Sequence, residues 1–194
     1  MNTTSIVLAG VGGQGILLAS EIIAKAAGFA GFDVKTNEVH GMAQRGGSVI
    51  GQIRYGQQVF SPLVSRGEAK VLMSLERIEA LRYADYLAPD GLAVVNAQKI
   101  VPVTVSSGGA VYPENAEDLL HKTFPRLIYV DANAMAIELG NPRCANVVLL
   151  GALSTALHDI ADEIWQDAIR QCVKPQFVDL NLQAFAAGAA KKTR

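Results

Sequence analysis

The run Gly10-Val11-Gly12-Gly13-Gln14-Gly15 constrains this chain more than any other stretch. It follows the apolar segment Ile6-Val7-Leu8-Ala9 and opens into Ile16-Leu17-Leu18-Ala19-Ser20-Glu21-Ile22-Ile23-Ala24. Glycines spaced G-x-G-x-x-G between a strand and a helix each have a steric task. Gly10 permits a tight turn, Gly12 allows close backbone approach, and Gly15 lets the helix lie close to the strand. The helix start then turns unpaired N–H groups and the positive dipole end toward the space above, where an anion is favoured. Two readings stay open: a site for a phosphate-bearing ligand, or a turn that only packs a helix on a strand.

From that turn the chain reads as a Rossmann-like α/β fold. Thr4 to Ala9 is a buried strand, Gln14 to about Ala30 a helix ended near Gly28 and Gly31, and Asp33 to Val39 a second strand. In such a unit an acid about 20 residues past the glycines bonds ribose hydroxyls. Glu38 stands at that distance. After it comes a polar, glycine-rich loop, His40-Gly41-Met42-Ala43-Gln44-Arg45-Gly46-Gly47, in place of a second crossover helix. Arg45 could clamp a carboxylate or phosphate with two parallel hydrogen bonds, or tie the loop to backbone carbonyls. His40 is open to an acid–base role or a structural one.

Ser48 to Tyr55, the Gly56-Gln57-Gln58 turn and Val59 to Pro62 read as a β-hairpin insertion, because Val49, Ile53 and Tyr55 alternate with polar or small neighbours. Ala69 to Ser74 is a strand, followed by a helix that the Pro89-Asp90-Gly91 turn stops before the strand Leu92 to Asn96. Two further short strands are expected between Ile100 and Tyr112, then a helix from Pro113. Arg126 to Asp131 is the last strand, and Ala132 to Leu139 a short helix. The C-terminal part is helical over Cys144 to Leu157, Ile160 to Cys172 and Phe177 to Ala189. The expected architecture is a mainly parallel sheet with helices on both faces, in one domain over 1–194. Within it, Asn146 suits a bond to a neighbouring loop, His158 a helix end, and Trp165 the core or an interface.

Charge and cysteine content exclude several functions. With 17 Lys+Arg against 18 Asp+Glu, no basic field exists to hold nucleic acid or an anionic membrane, and Lys191 to Arg194 reads as a solvated end. Two scattered cysteines and three scattered histidines form no metal set. No long apolar span or leader pattern appears, which points to a cytoplasmic protein. Only 18% of residues are charged while 50% are hydrophobic, so apolar surface must go into a broad core or a permanent subunit interface.

The glycine turn, the Glu38 to Gly47 loop and the late segment Asn146-Val147-Val148-Leu149-Leu150-Gly151-Ala152-Leu153 together resemble the gamma module of the 2-oxoacid:ferredoxin oxidoreductases. Among these the likeness is to the small-subunit branch that serves arylpyruvates such as indolepyruvate, and it spans essentially the whole chain. The resemblance implies a subunit that is inactive alone. A large partner would hold thiamine diphosphate, magnesium and iron-sulfur clusters and deliver electrons to ferredoxin, all within a cytoplasmic hetero-oligomer. It implies no catalytic residue and no metal ligand in this chain. Gly10, Gly12, Gly13, Gln14, Gly15, Arg45, Gly46 and Gly47 are the expected contacts to coenzyme A or its phosphates at the interface. The rival reading is a free-standing nucleotide-binding dehydrogenase module.

Overall fold

The computed structural model of the chain describes residues 3–40, 47–101 and 112–191. Six strands form one sheet: β1 Thr4–Val11, β2 Asp33–His40, β3 Ser48–Gly56, β4 Ala69–Ser74, β5 Leu87–Asn96 and β6 Leu127–Val130, in the order β2-β3-β1-β4-β5-β6. β1, β4, β5 and β6 are neighbours in parallel, whereas β3 runs antiparallel to both β1 and β2. Among the described strands only β3 therefore opposes the common direction. The near-continuous apolar runs of β1, β4 and β5 fit strands buried on both faces.

Among the described residues seven α-helices flank the sheet: α1 Ile16–Phe29, α2 Arg77–Arg82, α3 Ala116–Thr123, α4 Ala132–Glu138, α5 Ala145–Ser154, α6 Asp162–Cys172 and α7 Val178–Ala189. Alternate side chains of each strand feed two cores. Ile6, Leu8, Val71, Met73 and Val94 pack against α1, α5, α6 and α7. Val7, Ala9, Leu72, Ala93 and Val95 pack against Ala80 of α2 and Leu120 of α3. Helices thus cover both faces, as expected. All ten residues of α5 are buried. It lies between the sheet and α7, and a Cβ on Gly151 or Gly188 would sit 1.9 or 1.8 Å from a carbonyl oxygen of the other helix.

Three expectations need correction. The hairpin is not formed by 48–62: Ser48–Gly56 pairs with β2 on one side and β1 on the other, and the segment after Gly56 is not a strand. Alternation marked β3 as a strand but could not say which neighbours it would choose. Consequently β1, α1 and β2 do not make an ordinary dinucleotide-binding unit, because β3 separates β2 from β1. Finally, Pro89-Asp90-Gly91 does not stop a helix. It bulges within β5, where the register with β4 jumps from Ala69↔Leu87 to Val71↔Leu92. The expected strands between Ile100 and Tyr112 fall mostly on 102–111, and residues 41–46 and 192–194 likewise lie outside the described residues.

Candidate functional site

In open α/β sheets a crevice forms at the carboxyl ends of the strands where successive connections diverge. Here that point lies between β1, whose chain leaves toward β3 and β2, and β4, which leads toward β5 and β6. The glycine turn stands at its mouth. Gly13 and Gly15 adopt φ of 99° and 85°, a region that excludes most side chains, and Gly15 caps α1 without any side-chain hydrogen bond. A Cβ on Gly15 would lie 2.6 Å from Nδ2 of Asn146, which donates to the Gly15 carbonyl at 3.0 Å. Asn146 thus bonds the backbone of the turn, as expected, and is buried in doing so. At Gly10 a Cβ would meet Gln14 Oε1 at 2.8 Å and Leu75 Cβ at 3.2 Å. The first glycine therefore serves close packing under the turn.

Gln14 is a structural pin. Its Oε1 accepts from the Val11 N–H at 2.7 Å, and its Nε2 donates to Leu75 O and to Gln98 Oε1, both at 2.8 Å. The end of β1 is thereby tied to the end of β4 and to the segment after β5. Gly12 donates its N–H to Gly47 O at 2.9 Å, joining the turn to the far side of the 41–47 loop. Of that loop's expected contacts, Gly47 is placed beside the turn, whereas Arg45 and Gly46 lie outside the described residues.

Sequence reasoning missed a second set of polar groups. Asn96, at the last position of β5, is buried. Its Oδ1 accepts from the Ala132 N–H at 3.0 Å, and its Nδ2 donates to Leu75 O at 3.2 Å and to Asn133 Oδ1 at 2.8 Å. Gln14, Asn96, Gln98, Asn133, Arg143 and Asn146 line one cleft of about 520 Å³ beside the turn. A smaller groove of about 330 Å³ lies on the other side, between Gly12, Ile16, Leu17 and Val49. Leu17 is 60% exposed there, and Val39 on β2 is 52% exposed. The available signal for the larger cleft was Asn96, a polar residue that ends the apolar run of a buried strand.

Glu38 stands opposite Gly51 on β2, so β3 holds it two strand spacings from β1. That is about 10 Å, too far for a ribose acid beside the turn. His40 closes β2 opposite Val49. Glu76 is buried and fully used: Oε2 caps α2 by accepting from the Ile78 and Glu79 N–H groups at 2.6 and 3.0 Å, and Oε1 accepts from Ile100 N–H at 3.2 Å and the Tyr112 hydroxyl at 2.7 Å. Burial, then the Glu76 carboxylate, drives the Tyr112 phenol well above its ordinary range. Burial also raises both thiols, Cys144 and Cys172, which disfavours the thiolate that a metal would need. Among the described residues no group of three or more His, Cys, Asp or Glu side chains could hold a metal ion. No helix among them is long and apolar enough to cross a membrane. His158 lies in a turn, not at the end of a helix, and its neighbour Asp159 accepts from Tyr55 at 2.9 Å. Trp165 is fully buried in the core.

A parallel sheet with one reversed strand, and a glycine turn bonded to the chain's own hairpin loop, define a modified Rossmann-like module. The chain belongs to the pyruvate ferredoxin/flavodoxin oxidoreductase family, whose model matches residues 5–191. It is 43% identical to the indolepyruvate oxidoreductase subunit IorB of Thermococcus kodakarensis, over 99% of this chain and 98% of the relative. To the IorB subunit of Archaeoglobus fulgidus it is 46% identical, over 95% of this chain and 92% of that one. The fold matches the pyruvate oxidoreductase subunit PORC of Thermotoga maritima with a TM-score of 0.73 at 22% identity, covering 100% of this chain and 98% of that one. It also matches, with a TM-score of 0.69 at 23% identity, 31% of a 2-oxoglutarate:ferredoxin oxidoreductase chain from Magnetococcus marinus in a structure with 2-oxoglutarate, coenzyme A and succinyl-CoA bound; this chain is covered to 98%. A free-standing dehydrogenase module is not favoured by these relatives.

Proposed function

We propose that this chain is the small, cofactor-free subunit of a cytoplasmic 2-oxoacid:ferredoxin oxidoreductase of the indolepyruvate type. The observation that carries this reading is identity of 43–46% with IorB subunits over nearly the full length of both chains. A large partner subunit holds thiamine diphosphate, magnesium and iron-sulfur clusters. In the assembled enzyme an arylpyruvate loses carbon dioxide, two electrons pass to ferredoxin, and the coenzyme A thiol takes the acyl group. Thiamine diphosphate supplies the carbanion chemistry, and this chain supplies surface and orientation. Two thiols, both disfavoured as thiolates, do not suit it to a four-cysteine cluster.

The primary role is to close the assembly through the 40–47 loop and the apolar surface around Leu17 and Val39. The second is to contact coenzyme A through the turn Gly10, Gly12, Gly13, Gln14 and Gly15 and the loop Arg45, Gly46 and Gly47. Coenzyme A bound in the Magnetococcus marinus enzyme supports this second role. The test is co-expression with a large thiamine diphosphate-dependent partner subunit. The isolated small chain should reduce no ferredoxin, and the complex should do so with indolepyruvate and coenzyme A. Activity of the isolated chain would sink the assignment. In the complex, Gly12→Val should raise the KM for coenzyme A while leaving thiamine content unchanged; an unchanged KM removes the coenzyme A contact and leaves the subunit assignment standing.

A further inference from the structure

Another cleft, of about 270 Å³, lies where the start of α5, the end of α6 and the start of α7 meet Leu18 of α1. None of residues 10–15 lines it. Its volume falls just below the range of about 300–1,000 Å³ typical of sites for drug-sized ligands, which suits a molecule of one or two rings. The walls are apolar: Leu18, Val173, the ring of Phe177 and both cysteines, Cys144 and Cys172. Phe177 is 38% exposed, so part of its ring is open to contact. Cys144 donates its thiol proton to Asn141 O at 2.9 Å. Burial raises both thiols, and the Glu21 carboxylate beside Cys172 raises that one further. The sulfurs therefore stay neutral and polarizable, and together with Phe177 they favour contact with a flat aromatic ring.

Three polar groups complete the cleft. Asn181 is only 7% exposed, and its Nδ2 donates to Phe177 O at 2.8 Å. That carbonyl can only accept, which fixes the orientation of the carboxamide. Its Oδ1 is left without a hydrogen bond among the described residues, and a buried acceptor calls for a donor. Arg143 and Lys174 also line the cleft, neither forms an ion pair among the described residues, and no acidic side chain is in the lining. Glu21, the nearby acid, is paired with Lys25 at 3.9 Å. Two cations beside an apolar floor suit a ring that carries a carboxylate arm. We infer that this cleft binds an indole-type carboxylic acid, with the ring on Phe177 and the two sulfurs, the ring N–H toward Asn181 Oδ1, and the carboxylate toward Arg143 and Lys174. The inference goes beyond the subunit assignment and does not rest on it.

The test titrates the full-length chain calorimetrically with indole-3-acetate as the probe. Indole-3-acetamide removes the charge, 1-methylindole-3-acetate removes the ring N–H, and acetate removes the ring. We expect indole-3-acetate to bind, the amide and the N-methyl acid to bind at least about fivefold more weakly, and acetate to show no measurable binding. In the double variant Arg143→Gln, Lys174→Gln the acid and the amide should bind alike. Both residues are exposed, so the variant should melt at the wild-type temperature. Lys122→Gln, on exposed surface of α3, should keep the preference for the acid. Absence of indole-3-acetate binding, equal binding of the amide or the N-methyl acid by the wild type, or survival of the acid preference in the double variant overturns the proposal. The ligand comparisons on the wild type decide the matter even if the double variant fails to fold. Each of these results leaves the subunit assignment, read by ferredoxin reduction, separately measurable.

Discussion

Replacing Gly151 by alanine isolates the close approach on which the C-terminal half depends. An added Cβ would lie 1.9 Å from the Phe185 carbonyl oxygen and 2.8 Å from its carbon. An ordinary C···O contact is about 3.3 Å, so α7 would have to retreat from α5 by about 1.4 Å. The clashing atoms are backbone, and no rotamer change relieves them. A gap of even about 1 Å forfeits up to half of each contact's dispersion energy, and overpacking typically costs about 1–3 kcal/mol. Alanine restores about 1 kcal/mol of helix propensity. With cost at the upper end of its range, the net loss is about 2 kcal/mol, or about 4–8 °C in Tm for a chain of this size. Thermal melts followed by far-ultraviolet circular dichroism measure it. Gly28→Ala is the internal control: this exposed glycine in α1 has nothing within 4 Å of an added Cβ. It should gain up to about 1 kcal/mol. If Gly151→Ala melts at or above the wild-type temperature, or both variants move together, close helix approach is not the cause.

Three further outcomes follow from the site. Gln14→Ala should lose about 1–3 kcal/mol in urea unfolding, because it strands the Val11 N–H and removes one of the two donors to the Leu75 carbonyl; a loss below about 0.5 kcal/mol would refute the pin. Gly15→Ala combines a left-handed backbone with a contact at 2.6 Å to Asn146, so a double-mutant cycle with Asn146→Ala should show less destabilisation than the sum of the single changes, and additivity would separate the two residues. Burial, then the charge of Asp159, raises the Tyr55 phenol above its ordinary value of 10.0. Its neutral form is therefore favoured by folding: the contribution is complete below pH 10.0 and is lost as pH rises, since the unfolded chain releases its proton first. Tyr55→Phe should flatten the alkaline fall in stability measured by unfolding, and an unchanged slope would refute the assignment.

The apolar runs of β1, β4 and β6 and the helical periodicities of α1, α6 and α7 were legible because each depends on local burial. The placement of β3 was not. Gly56-Gln57-Gln58 offers acceptable turn chemistry, and alternation in 48–55 fits either neighbour equally well, so only tertiary pairing with Leu8 and its strand decides. Pro89-Asp90-Gly91 misled for a related reason, since turn residues also suit a bulge. At the site, the glycine spacing exposes Gly10 to Gly15, whereas the bonds of Gln14 to Leu75 and Gln98 are not legible because those partners are remote in sequence. Asn96, Gln98, Asn133 and Arg143 come from separate segments, and no local pattern joins them.

The reversed strand explains why a dinucleotide-type turn here does other work. In a dinucleotide fold the second glycine lets a pyrophosphate approach the backbone, and the acid ending the neighbouring strand reaches the ribose. Inserting β3 moves Glu38 a further strand away. It also delivers Gly47, just ahead of β3, onto the turn, where its carbonyl accepts the Gly12 N–H. The close approach that the glycine permits is thus made by the chain's own backbone. On the cleft side of the turn, Asn146 donates to the Gly15 carbonyl and Gln14 donates to Gln98. One antiparallel strand removes the geometry needed for a nicotinamide dinucleotide while leaving the crevice, which is why the fold serves here as a subunit module and not as a dehydrogenase domain.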